Sequence, residues 1–241
     1  QKGKDEYGKS MMRKENWCKL WKNRNEKFVI MYPTAHDTDE TNMGDILLNI
    51  LSMLSAKNVD VLFVTKPRYE VIRFFTKILE NYKHRIEFRL TIGTNSNEEL
   101  EFWEPNAPKY EERLKSLRKL HKNEFRTSVS IEPMLKPKDV GSFLESEIRF
   151  VDKILQNTRC VWIGTCNHIP VNRYHGKSLS GEVKEKYQEL REIYSNSNIM
   201  GLVKHYYLNP KIHWKESIKK TIIEHIEKNN NQKKIPLDRF M

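Results

Sequence analysis

Short apolar runs alternate along this chain with longer stretches in which apolar residues recur every three or four positions. The runs FVIMYP (28–33), DVLFV (60–64), IEFRLTI (86–92), TSVSI (127–131) and CVWIG (160–164) have the length and β-branched or aromatic content of buried strands. Between them, Met43, Ile46, Leu47, Ile50, Leu51 and Leu54 fall at helical spacing, as do Val71, Phe74, Phe75, Ile78, Leu79 and Tyr82. A third stripe is Tyr110, Leu114, Leu117 and Leu120, and a fourth runs from Val140 through Phe143 and Leu144 to Leu155. Each stripe gives a helix one apolar face. Strand, helix and strand in repetition is the spacing of right-handed crossovers in a parallel sheet.

Local signals sharpen the boundaries. Gly93 stops the third strand, Ser96 and Glu99 have capping-box spacing, and Pro108 suits the start of the next helix. Asp39 or Thr41 stands where the first helix needs a cap. Past the fifth strand the pattern loosens. Asn172 to Ser180 reads as a polar loop or lid, Leu190 and Ile193 as a helix, and Ile199 to Val203 is ambiguous. Ile212 to Trp214 reads as a short strand before an amphipathic helix carrying Ile218, Ile222, Ile223 and Ile226, and the run from Asn229 as a frayed tail.

In the fourth strand Ser128, Ser130 and Glu132 share one face, and Thr127, Val129 and Ile131 share the other. Hydroxyls and a carboxylate in line do not suit a face covered by helices. They suit the inside or mouth of a barrel. The expected fold is therefore α/β, a partial (β/α) barrel of parallel strands. Three segments are expected: a basic N-terminal segment, 1–27; the partial barrel, 28–170; and a C-terminal extension of loop, helices and basic tail, 171–241.

Charge changes the picture only at the ends. The formal net charge is +11. Residues 1–27 carry nine Lys or Arg against four Asp or Glu, residues 211–241 eight against four, which leaves +2 for the long middle. Basic ends fit arms that touch nucleic-acid phosphates, with Tyr7, Trp17 and Trp21 able to stack on bases or cover the barrel. They equally fit lysines that keep a protein in solution. No apolar run approaches the roughly 20 residues of a membrane span, and the first residues lack the apolar core of a secretory signal. Three widely separated cysteines, Cys18, Cys160 and Cys166, make no disulfide framework. The expected compartment is the cytoplasm, with no membrane partner.

Ligands of parallel α/β sheets bind at the carboxyl ends of the strands. Those ends carry His36 and Asp37, Lys66 and Arg68, Thr91 and Thr94, Ser130 and Glu132, and Asn167 and His168. Lys66 reads as a holder of carboxylate or phosphate, or as a solvated lysine before a proline turn. His36 and Asp37 orient a ligand or cap the next helix. An inward carboxylate at Glu132 needs a donor, for which Lys66 and Arg89 are candidates. Cys166 is a hydrogen-atom donor, a metal ligand, or a small buried side chain. No GxxxxGK[ST], HExxH, GxSxG or CxxC occurs, so nucleotide hydrolysis, zinc-peptidase and serine-hydrolase readings have no motif.

With MYPTAHD, VLFVTKP, FRLTIGT, EFWEPNAPKYEERL, TSVSIEPML and VWIGTCNHI aligned on strand ends, the chain resembles the radical S-adenosylmethionine superfamily, in its spore photoproduct lyase-like branch. The likeness runs from about Phe28 to His168, and the acidic-Pro-Asn-Ala-Pro segment with its Glu-Arg-Leu helix is its most specific part. The resemblance implies a partial (β/α)6 barrel, S-adenosylmethionine and a 4Fe-4S cluster held by a CxxxCxxC loop after the first strand. It implies that Lys66, Thr91, Ser128, Ser130 and Glu132 bind the cofactor, with Arg113 either near it or paired with Glu104 or Glu112. The chain departs from the family at the cluster. No two of its cysteines have the family spacing, and its strands correspond to the second to sixth of the family barrel. Without that loop it is not expected to generate a radical. The alternatives are a cluster-free barrel that binds nucleic acid, and an acid–base or metal-dependent barrel enzyme using Glu132, His36 and His168.

Overall fold

The structure is a computed structural model, and it describes residues 26–33, 37–138, 141–166, 169, 173–174, 177–178 and 180–228. Strands β1 (Phe28–Tyr32), β2 (Val59–Thr65), β3 (Ile86–Thr91), β4 (Arg126–Ile131), β5 (Cys160–Ile163) and β8 (Ile212–Trp214) form one sheet in that order. Every neighbouring pair is parallel. Two further pieces, β6 (Arg173–Tyr174) and β7 (Lys177–Ser178), pair antiparallel in the stretch expected to be a loop. Helices α1 (Met43–Leu54), α2 (Tyr69–Ile78), α3 (Asn97–Trp103), α4 (Tyr110–Lys122) and α5 (Phe143–Leu155) lie between the strands. Helices α6 (Gly181–Ile193) and α7 (Asn196–Tyr206) precede β8, and α8 (Glu216–Lys228) follows it. The ambiguous segment 199–203 is helical, inside α7.

Strand order decides the architecture. Because the strands are laid down in sequence without reversal, every right-handed crossover puts its helix on the same side. A doubly wound sheet reverses and covers both faces; this one covers one. Accordingly Val61, Phe63, Phe88, Leu90, Val129 and Ile131 on the covered face are at most 1% exposed. On the other face burial lapses along β1, where Val29 is 63% and Met31 51% exposed. The sheet ends at β1 and β8 without the two pairing, so the barrel is partial, as expected.

Two caps differ in detail from the sequence pattern. Ser96 accepts from the Glu99 amide, but the Glu99 carboxylate turns to Trp103 Nε1 (3.0 Å) and Lys186 Nζ (2.6 Å). A lysine reaching in from α6 is the stronger partner. Asp39 accepts from Thr41 and Asn42 and so shapes the turn before α1 instead of capping it. Among the described residues, no helix is long and apolar enough to cross a membrane. Most of the basic segment 1–27, the tail from 229, Val140, His36, Asn167 and His168 lie outside the described residues.

Candidate functional site

The open face carries its chemistry in layers, because alternate residues of parallel strands in register point to the same side. In the middle layer Arg89 on β3 and Trp162 on β5 meet across β4. The guanidinium lies 4.7 Å from the indole centroid, and the intervening positions are the small Ser128 and Ser130. On its other side Trp162 stacks on His213 of β8, with ring centroids 4.6 Å apart and planes 22° from parallel. Trp162 therefore offers neither ring face to a ligand. Ser128 accepts from Arg89 Nε (3.1 Å) and donates to Glu87 Oε1 (2.6 Å). Burial holds the His213 imidazole below its usual range, Arg89 lowers it further, and Glu87 opposes both.

The upper layer lies at the carboxyl ends of the strands. Below it, Thr91 and Ser130 are register partners in the row of Trp162 and His213. Glu132 is ion-paired with Lys215, which directly follows β8. These groups come from strands separated by β5, and they meet because residue 164 is glycine. A Cβ at Gly164 would stand 2.7 Å from Glu132 Oε1 and 3.1 Å from Lys215 Cβ. The partners foreseen for Glu132 are used elsewhere: Arg89 in the middle layer, and Lys66 on Asp37, which accepts from both its Nζ and its amide at 2.9 Å. Asp37, Lys66 and Arg68 line an open cavity of about 150 Å³ together with Glu104, Asn106 and Pro108.

The segment Glu104–Pro108 is tied down from below. Arg113 is fully buried and donates to Pro108 O (2.7 Å), Thr91 O (3.2 Å) and Glu104 Oε2 (2.6 Å). One guanidinium thus clasps the acidic-Pro-Asn-Ala-Pro turn to the end of β3, so the most specific motif in the sequence is built around a buried ion pair. Thr94, foreseen at the mouth, is fully buried and donates to Lys136 O at 2.7 Å. A larger cavity, about 220 Å³ between Lys136, Phe143, Glu189 and Asn198, lies among the outer helices.

Among the described residues, no three His, Cys, Asp or Glu side chains are grouped to hold a metal. Cys160 opens β5 and Cys166 lies past its far end, so the two cannot ligate one cluster. Burial pushes the Cys160 thiol up, with Glu87 adding to the effect. Of the foreseen set, Thr91 and Ser130 are register partners in the row of Trp162 and His213, Glu132 lies one step above them and Ser128 one step below, and Lys66 is turned to Asp37. Lys215, His213, Trp162 and Gly164 went unforeseen. The alternation Lys211, His213, Lys215 against Ile212 and Trp214 was the available signal for two of them.

The fold and the layered face define a singly wound parallel α/β half-barrel with a polar mouth. No protein-family model matches the chain, and no curated protein does. Among solved structures, SuiB of Streptococcus suis superposes with a TM-score of 0.45 at 13% identity, over 81% of this chain and 41% of SuiB. The chain thus spans less than half the length of that protein, and a likeness at this level carries no functional argument.

Proposed function

We propose that this chain is the S-adenosylmethionine-binding wall of a barrel of the spore photoproduct lyase-like radical type. The observation that carries the reading is the succession of polar groups toward the carboxyl end of the one uncovered sheet face, Thr91 and Ser130 as register partners and Glu132 as the next residue of β4's open side. In this reading the hydroxyls of Thr91 and Ser130 bond the ligand's polar edge, and Glu132 receives its cationic part. Lys66 lines the neighbouring cavity, while Ser128, whose hydroxyl is already used on both sides, shapes the wall.

The described residues do not fit a 4Fe-4S cluster, which takes cysteine thiolates that they do not supply together. Radical generation therefore has no basis in these side chains. In this reading their part is to bind and orient the ligand.

Isothermal titration of the chain with S-adenosylmethionine tests this. Saturable binding is expected, weakened about tenfold or more by Glu132→Gln or Thr91→Val, each of which removes a bond to the ligand. Ser128→Ala should change it far less. No heat of binding from the folded wild-type chain, or equal losses in all three variants, would reject the reading.

A further inference from the structure

The end of the barrel opposite the mouth carries a different chemistry. Each strand of the sheet begins beside a cation: Lys27 before β1, Lys57 before β2, Arg85 before β3, Arg126 opening β4, Arg159 before β5 and Lys211 before β8. In a parallel sheet all of these stand at one end. Lys27, Arg85 and Arg126 converge on a single carboxylate, Asp60, at 3.3, 3.6 and 3.9 Å. Arg126 also meets Glu87 at 3.6 Å. Lys57, Arg159 and Lys211 are exposed, and none has an ion pair among the described residues.

The last turns of the helices end at the same level. Exposed Lys77 of α2 and Lys122 of α4 add to the rim, likewise without an ion pair among the described residues. Complementing the helix dipole accounts for lysines in last turns. It does not account for Lys57, Arg159 and Lys211, which lie in the connections before strands. The middle of the chain is nearly neutral, at +2 over residues 28–210, and the basal acids Asp60, Glu80, Glu87 and Glu124 are taken up by Lys27, Lys83, Arg85 and Arg126, which leaves Lys57, Arg159 and Lys211 unbalanced. First turns at the mouth end hold the acids, among them Asp45, Glu70, Glu111 and Glu145. Lys27 also joins this rim to the basic segment that precedes it in the sequence.

We propose that this basal rim binds the phosphate backbone of a nucleic acid, without base selection, at the end of the barrel away from the mouth. Spaced, solvated point charges with no fixed acceptor neutralise phosphates and release counterions. Lys57, Arg159 and Lys211 lie in connections before strands and not on a helix or β-ribbon that could enter a groove and read base edges. The inference is independent of what the mouth binds.

The test is binding of a labelled 30-base-pair DNA duplex to the full chain across a salt series. If about six phosphates are neutralised, affinity falls about a thousandfold between about 50 and about 200 mM salt. Arg159→Glu with Lys211→Glu should lower the slope of log affinity on log salt by about 1.8, at about 0.9 per phosphate. The paired variant Lys109→Glu with Lys138→Glu makes the same charge change on exposed residues at the mouth end and should leave that slope unchanged. Circular dichroism melts establish that both variants are folded. Equal loss in the two variants would reduce the effect to net charge and overturn the proposal. Salt-independent or absent binding by the wild-type chain, or equally tight binding of polyglutamate, which would mark an acidic protein as the partner, would also overturn it.

Discussion

The two faces of the same sheet are held in different ways. On the covered face, apolar side chains of the strands meet apolar helix stripes and lose nearly all contact with water. On the open face the central side chains are polar and satisfy one another in pairs and stacks: Arg89 on Trp162, Ser128 on Glu87, Lys215 on Glu132. The first arrangement derives its strength from area removed from water, at about 25 cal/mol per Å². The second rests on interactions that solvent weakens. Substitutions behind the sheet should therefore register in stability, and substitutions in front of it in binding.

The clasp behind the mouth gives the largest expected effect. Arg113→Met strands the Glu104 carboxylate, which is 7% exposed, and removes donors from two carbonyls. Breaking one side of a buried pair costs about 3–5 kcal/mol, to be read in urea unfolding. A loss below about 1 kcal/mol would mean that the turn is held by something else. The motif EPNAPKYEERL supplies both halves of that pair, Glu104 from the turn and Arg113 from the helix, at fixed spacing.

Glu147 on α5 is the exception behind the sheet. Its side chain is fully buried, and neither carboxylate oxygen has a hydrogen-bond partner among the described residues. Burial raises its pKa well above the usual carboxylate range. The folded chain then keeps a proton that the unfolded chain releases, so stability falls as pH rises from the ordinary carboxylate value toward the folded one. Glu147→Met should stabilise the protein by about 1–3 kcal/mol, the cost of an unsatisfied buried polar group. The gap between variant and wild type should widen as pH rises above the ordinary carboxylate range in thermal melts. A gap that narrows as pH rises would show that the carboxylate finds a partner.

Periodicity made the strands, the helices and their parallel order readable, because hydrophobic burial on one side of each element writes itself into the sequence. The open face was readable only one strand at a time. Ser128, Ser130 and Glu132 announced a polar face through their alternation in β4. Which cation met Glu132 depended on β8 lying two strands away and on the missing side chain of Gly164 between them. Lys66 looked like a mouth cation for the same reason: nothing local shows that Asp37 turns back to take both its amide and its ammonium. Contacts between distant segments carry no period.

The smallest stability change is expected where the proposed function depends most on geometry. Lys215 and Glu132 are each 24% exposed in their side chains, so breaking the pair by Lys215→Met should cost no more than about 1 kcal/mol. If the lysine positions the carboxylate, S-adenosylmethionine binding should nevertheless weaken well beyond that cost, and Lys215→Arg should restore much of it by keeping a donor at the same place. Gly164→Ala offers an independent route to the same end, since its Cβ would push the Glu132 carboxylate aside while leaving both charges present. Binding that survives Lys215→Met and Gly164→Ala undiminished would detach Glu132 from the ligand, and the open face would then owe its polarity to the need to satisfy itself.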